Sequence, residues 1–329
     1  PSIFLGCPDT TTELSILAGH EMLKEGRGYE AIALTLYGGL AASIVLILIA
    51  FPSALIISKV YNFLVKGMAY ILIATSFILI SLEKNKFYGM FSFLLSGALG
   101  FCVLNLDLNE PLLPLLTGLF GSSTMILSIK EKVKIPKQII SSPKITSSRP
   151  LFGSLIASLL CGFLPGLGSG QAAILGTTIA KSKDKEGFLF LLGSTNVLVM
   201  GFSFISLYAI SKTRTGAAVA VKEILGSLNI FSLVLILVII LMSSIAAFFI
   251  SLFLAKRFSE KVTKINYALL SKIVLIILTL IVFLFSGIKG LFVFFISTLV
   301  GIYCISLKVK RTQMMGCLLI PTIIFYLMN

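Results

Sequence analysis

Apolar runs long enough to cross a bilayer recur along this entire chain and leave little between them from which a soluble domain could form. They fall at roughly 31–56, 62–81, 88–105, 111–128, 187–204, 228–254, 266–285, 291–306 and 313–328, which predicts about nine spanning helices. Apolar residues make up 57% of the sequence and charged residues 12%, against about 45–50% and about 25% in a soluble domain. The fold class that follows is an all-α polytopic membrane protein.

The net charge of +14 would suggest nucleic acid as a partner in a soluble protein. Here the loops 21–30, 82–87, 129–150, 181–186, 255–265 and 307–312 hold 20 of the 27 Lys and Arg. Basic loops between apolar runs set topology, so these six face the cytoplasm of a prokaryotic plasma membrane, and no nucleic acid is expected. Five cysteines (Cys7, Cys102, Cys161, Cys304 and Cys317) show no paired spacing, and the single histidine, His20, cannot build a metal centre. No metal and no cofactor are expected beyond a coupling Na⁺ or H⁺.

Loop charge also constrains the segments that are not simple spans. The basic loops 129–150 and 181–186 belong on one side, so 151–180 must enter and leave by the same face. That makes it a re-entrant helical hairpin with the tip PGLGSG (Pro165–Gly170). Its arms, 151–164 and 171–180, would reach only about 21 and 15 Å against a hydrocarbon core of about 30 Å. The same bookkeeping makes 205–225, broken by SKTRTG (Ser211–Gly216), a hairpin from the outer face. Residues 1–20, around CPDTTT (Cys7–Thr12), form a third interrupted segment.

A broken segment followed by four spans thus occurs twice, in opposite orientation, as in inverted-repeat carriers. Pro1–Leu17 aligns without gaps to Ile205–Val221, with Ser2 on Ser206, Phe4 on Tyr208 and Thr11 on Thr215. The predicted organisation is a first repeat over 1–128, a basic cytoplasmic linker over 129–150 and a second repeat over 151–329. A hairpin and a helix precede the second broken segment, whereas nothing precedes the first. Roughly 50–100 further residues are therefore expected before Pro1 in the natural protein.

Irregular backbone at membrane depth is tolerated only where protein or a polar cavity satisfies it. In the hairpin tip, Pro165 stops the first arm, and Gly166 and Gly168 permit close backbone approach. Ser169 and Gln171 lie beside the free amides that open the second arm, which suits an anion. A glycine-rich kink or helix-packing contact is the bland alternative. SKTRTG supplies Ser211, Thr213 and Thr215 with Arg214 as a carboxylate or phosphate clamp; alternatively, Lys212 and Arg214 snorkel from an exposed helix end. Asp9, Thr10, Thr11 and Thr12 can couple an ion or cap a helix. Asn196, well inside a span, is either a substrate ligand or interhelical glue. No HExxH, aspartate pair or Ser–His couple points to an enzyme.

Pro1–Thr35 (PSIFLGCPDTTTELSILAGHEMLKEGRGYEAIALT), CGFLPGLGSGQAAILG (Cys161–Gly176) and SKTRTGAAVAV (Ser211–Val221) resemble one known pattern. It is that of the tripartite tricarboxylate transporter permease (TctA-like) family, in its archaeal branch. The resemblance implies an inverted-repeat secondary carrier for carboxylates, driven by an ion gradient. It also implies a small membrane subunit and an extracytoplasmic solute-binding protein as partners; a homo-oligomer is compatible with it. The function expected is an ion-driven permease for a small organic anion, a di- or tricarboxylate, held between hairpin tips. The rival readings are a polyprenyl-phosphate translocase and a non-transporting membrane scaffold.

Overall fold

The computed structural model describes residues 3, 15–81, 83–131, 136–141, 143, 148–162, 169–181, 184–213, 215–261 and 267–328. These form α1 (Ser15–Lys24), α2 (Gly28–Lys66), α3 (Met68–Ser81), α4 (Lys86–Leu104) and α5 (Leu112–Leu116). A π segment (Thr117–Ser122) leads into α6 (Ser123–Glu131), followed by α7 (Arg149–Cys161), α8 (Ser169–Ala180), α9 (Lys185–Ile210) and α10 (Gly216–Leu225). Helices α11 (Ile230–Lys261) and α12 (Tyr267–Ser306), a 3₁₀ turn (Arg311–Met315) and α13 (Gly316–Met328) complete the chain. There is no strand among the described residues.

Every predicted span falls on a helix, and the protein is an all-α, multi-pass membrane protein. Six helices among the described residues are long and apolar enough to cross a bilayer, fewer than the nine expected. One reason is that α12 carries two predicted spans in one stretch, joined at Gly287 (φ 63°, ψ −160°). The other is that 68–81 and 112–127 are short. Large apolar side chains such as Phe231, Phe249 and Leu284 are exposed along α11 and α12, as lipid-facing helices require.

Contacts group the chain into two compact units, each drawing on both sides of the 129–150 linker. One, the hairpin unit, comprises Leu17–Lys66 and Pro136–Thr263; the second unit includes Gly67–Ile135 and Lys264–Asn329.

In the hairpin unit, α2 and α9 run parallel at backbone contact. A Cβ on Gly193 would lie 2.0 Å from the Thr35 carbonyl oxygen, and one on Gly38 2.1 Å from that of Phe190. Small residues of this kind let membrane helices approach closely. Leu46, Ala50 and Ile57 of α2 then pack with Leu198, Phe202 and Ile205 of α9 and Leu233, Leu237 and Ile240 of α11. Helices α7 and α8 form the expected antiparallel hairpin, with Gly153 near the start of α7 against Gly176 and Ala180 near the end of α8. At 13 and 12 residues, the arms reach only about 20 and 18 Å.

The second unit is built from two parallel pairs running in opposite directions. In one, α4 lies along α13, with Gly97 against Ile320 and Gly100 against the Cys317 backbone. In the other, the π segment and α6 lie along the second part of α12, with Gly118 against Ser297 and Gly301 against Leu119 and Ser123. Phe91, early in α4, stacks edge-on to Tyr303, late in α12, which fixes the opposed directions. Each pair thus joins one segment from either side of the 129–150 linker.

One expectation needs correction. The first arm of the outer hairpin, 205–210, is no separate helix. With no Pro to stop it after 204, α9 continues to Ile210 and ends at Ser211, which takes the left-handed conformation (φ 53°). The 129–150 linker also packs on the hairpin unit. Gln138 is buried and accepts the Gly28 N–H through Oε1 (2.8 Å). Its Nε2 donates to the carbonyls of Leu23 (3.0 Å) and Pro136 (2.7 Å). Gly26, at φ 83°, makes the turn that receives it.

Candidate functional site

At 26 residues, α9 is about 39 Å long and the most enclosed of the six long helices. Asp184 caps its start by accepting the Gly187 N–H (2.9 Å). Along it, Asn196, Ser203 and Ser206 fall within an arc of about 80°, given about 100° per residue. The end of α7, at Gly162, and Thr215 of the outer break both meet α9 on the turn that carries two of these residues.

Gly162, at the end of α7, lies against Phe202: a Cβ on Gly162 would be 2.6 Å from the Phe202 Cβ. As α7 and α8 are antiparallel, Ser169 opens α8 at the same level, 4% exposed. The outer break joins through the next residue, where the Thr215 N–H donates to Ser203 Oγ (3.0 Å). Thr215 in turn precedes the first residue of α10. Two helix N-termini, those of α8 and α10, therefore open beside residues 202–206 of α9. Each carries a partial positive charge, an electrostatic setting for an anion.

Polar atoms in this region are left over. Ser158 Oγ on α7, Asn196 Oδ1 and Ser206 Oγ on α9, and Thr215 Oγ1 at the break are enclosed and have no hydrogen-bond partner. Such atoms each cost about 1–3 kcal/mol unless a ligand or water satisfies them. Among the described residues no group of three or more His, Cys, Asp or Glu could hold a metal ion.

Of the residues predicted to bind substrate, Ser169, Asn196 and Thr215 have places in this region. Ser211 and Lys212 are exposed and Thr213 half-buried. The Lys212 ammonium sits 5.1 Å above the Tyr61 ring, and Lys222 Nζ donates to the Ser211 carbonyl (2.9 Å). Pro165, Gly166, Gly168 and Arg214 lie outside the described residues, as do the ion-coupling candidates Asp9, Thr10, Thr11 and Thr12. Gln171 is in the first turn of α8. Sequence reasoning missed Ser158, Ser203 and Ser206. The 196/203/206 spacing on one helical face is the signal that would have found the two on α9.

The base of the hairpin is tied down by charge. Arg27 Nη2 pairs with Glu30 (2.7 Å) and Glu186 (2.8 Å), and Lys185 pairs with Glu21 (3.0 Å) and Glu25 (2.8 Å). Glu30 first, then Glu186, holds the Arg27 guanidinium protonated more firmly than usual. These pairs join loops 21–30 and 181–186, and Gln138 adds loop 129–150 at the same end of the unit.

No solved structure matches the chain. An uncharacterized protein of the archaeon Methanocaldococcus jannaschii is 29% identical over 343 aligned residues, which cover 99% of this chain and 84% of that one. The profile of the tripartite tricarboxylate transporter TctA family matches residues 1–316. This chain belongs to that family.

Proposed function

We propose that the protein is the permease of an ion-driven carrier for a small organic anion, a di- or tricarboxylate, in a prokaryotic plasma membrane. Its basic loops face the cytoplasm, and it works with a small membrane subunit and an extracytoplasmic solute-binding protein. What supports the anion is the meeting of the end of α7 and the start of α10 with residues 202–203 of α9, where the Ser206 and Thr215 hydroxyls are enclosed without a partner, and Asn196 Oδ1 on the same face of α9 is likewise unpartnered. Carboxylate oxygens take the amides opening α8, the Ser169 and Gln171 side chains and Asn196, while Arg214 supplies the countercharge. Asp9 with Thr11 and Thr12 couples Na⁺ or H⁺. Rocking of one helix bundle about the bound anion gives alternating access.

The test is the melting temperature of the full-length protein in detergent against citrate, succinate and a polyprenyl phosphate, each with and without Na⁺. Ligand that binds the folded state raises apparent stability by mass action. The expected result is a rise with a carboxylate that disappears in Arg214→Ala and shrinks in Asn196→Ala. A rise with the lipid phosphate alone moves the protein to lipid-phosphate translocation, and no rise with any of them favours a scaffold.

A further inference from the structure

The short helices that follow the two breaks, α8 and α10, are held very differently. We propose that α10 is a hinged flap over the anion region, shut in this structure and opening as one unit away from α9. What the flap covers rests on the anion site proposed above; its hinged attachment does not.

Of the ten residues of α10, eight are exposed, Val221 is half-buried and only Ala218 is buried. Ala218 and Val221, three apart and so on one face, are what it adds to the apolar core of the hairpin unit. In α8, by contrast, only Thr178 and Ile179 are exposed among the described side chains. A helix with so little buried surface belongs to the least stable part of its fold, where local opening is easiest.

Glycines bracket α10, and neither is packed. A Cβ on Gly216 or on Gly226 would meet no other segment within 4 Å, and Gly226 takes φ 71° and ψ −80°. Unpacked glycines absorb changes of φ and ψ at little cost, as hinges must. Two hydrogen bonds among the described residues fasten the helix between them to α9. The Thr215 N–H donates to Ser203 Oγ (3.0 Å) at its start. About two turns later, Lys222 Nζ donates to the carbonyl of Ser211 (2.9 Å), the residue at which α9 ends.

Opening about the glycines breaks both bonds and lifts Ala218 from the core. It also carries the Thr215 hydroxyl and the positive start of α10 away from α9. An anion bound there draws on that partial charge, so it binds the shut position better than the open one and shifts the flap toward closure.

The experiment is amide hydrogen exchange of the full chain in detergent, read by mass spectrometry on peptides from α9, α10 and α11, with and without citrate or succinate. Amides 218–225 should exchange about 100-fold faster than those in the middle of α9, and with one common rate. Ser203→Ala should speed all of them about fivefold and Lys222→Met about threefold, with α11 unchanged. Lys222→Met, on an exposed side chain, reads the same unit should Ser203→Ala fail to fold. A saturating carboxylate should slow them about tenfold. Exchange in α10 as slow as in α9 overturns the proposal, as does opening that spreads from the helix ends and ignores both variants. A carboxylate that raises the melting temperature but leaves exchange in α10 unchanged removes the flap and keeps the anion site. Opening as a unit that answers to both variants and to no carboxylate keeps the hinge and sinks the anion reading.

Discussion

Each unit buries one glutamine that ties a loop to a helix end, and the two are not equally well paired. In the hairpin unit Gln138 uses both ends of its amide, on the Gly28 N–H and on the carbonyls of Leu23 and Pro136. In the second unit Gln313 donates to the Leu79 carbonyl (2.8 Å), but its Oε1 is enclosed without a partner. The hairpin unit is therefore well satisfied at its charged end, and its leftover polar atoms include the group beside two helix N-termini on α9. The second unit leaves polar atoms unpaired in scattered places as well, at Ser92, Ser271 and Gln313. An orphaned buried atom taken singly does not mark a site. Several of them beside converging helix starts do.

The harshest test of this comparison is aimed at what the units share, backbone contact between helices. Gly193→Ala in the hairpin unit and Gly100→Ala in the second would each drive a Cβ to 2.0 Å from a carbonyl oxygen, of Thr35 and Cys317 respectively. Overpacking against backbone has no flexible side chain to absorb it, so each should cost about 3 kcal/mol or more, read by chemical unfolding in detergent. Wild-type stability in either variant would mean that apolar burial, and not close approach, holds that unit together. The glutamines come next. Gln138→Leu strands three backbone groups and should cost about 2–3 kcal/mol, whereas Gln313→Leu also removes an unpaired oxygen and should cost about 1 kcal/mol. Equal losses would erase the distinction between them.

How much of this was legible in the sequence depends on the kind of interaction involved. The spans and the hairpin were, because apolar run length and loop charge are sequence-local and bilayer thickness converts them into geometry. The continuation of α9 past 204 was there to be read, since GFSFISLYAI (Gly201–Ile210) contains no proline, but the loop-charge bookkeeping outweighed it; the end itself is set by the left-handed Ser211, which no residue type announces. Gln138 in a lysine- and proline-rich loop reads as solvated; only the fold shows that Gly26 has turned the backbone to receive it. The roles of Ser203 and Ser206 were hidden for the same reason: a hydroxyl inside a span is ordinary until a second segment arrives opposite it, as Thr215 does at Ser203.

The charged end of the hairpin unit offers a sharper internal comparison. Glu30 is 8% exposed, and its main ion-pair partner is Arg27, itself part-exposed. Arg27→Gln leaves that carboxylate largely buried without its cation, and should cost about 1–2 kcal/mol after allowance for solvent screening. Lys185 makes as many ion pairs, to Glu21 and Glu25, but all three side chains are well exposed. Lys185→Gln should leave stability unchanged in 0.15 M salt, where exposed pairs are screened over about 8 Å. Both variants are read by unfolding at low and physiological salt. If Lys185→Gln proves the more damaging, the anchor of the hairpin base lies with the exposed pairs and not with Arg27.

The smallest expected effect bears most directly on function. Ser206→Ala removes a buried hydroxyl oxygen that has no partner, so the folded protein loses no hydrogen bond and is relieved of an uncompensated polar atom. Its stability without ligand should stay within about 0.5 kcal/mol of wild type or rise slightly. Ser203→Ala is the contrasting case, because Ser203 Oγ accepts the Thr215 N–H and its loss should cost about 1 kcal/mol. The carboxylate-dependent rise in melting temperature adds the second axis. If Ser206 belongs to the anion site, Ser206→Ala loses part of that rise while its baseline holds, a combination that packing alone does not produce. A lowered baseline with an intact rise would make Ser206 a structural hydroxyl and confine the site to the hairpin tip, Asn196 and the break.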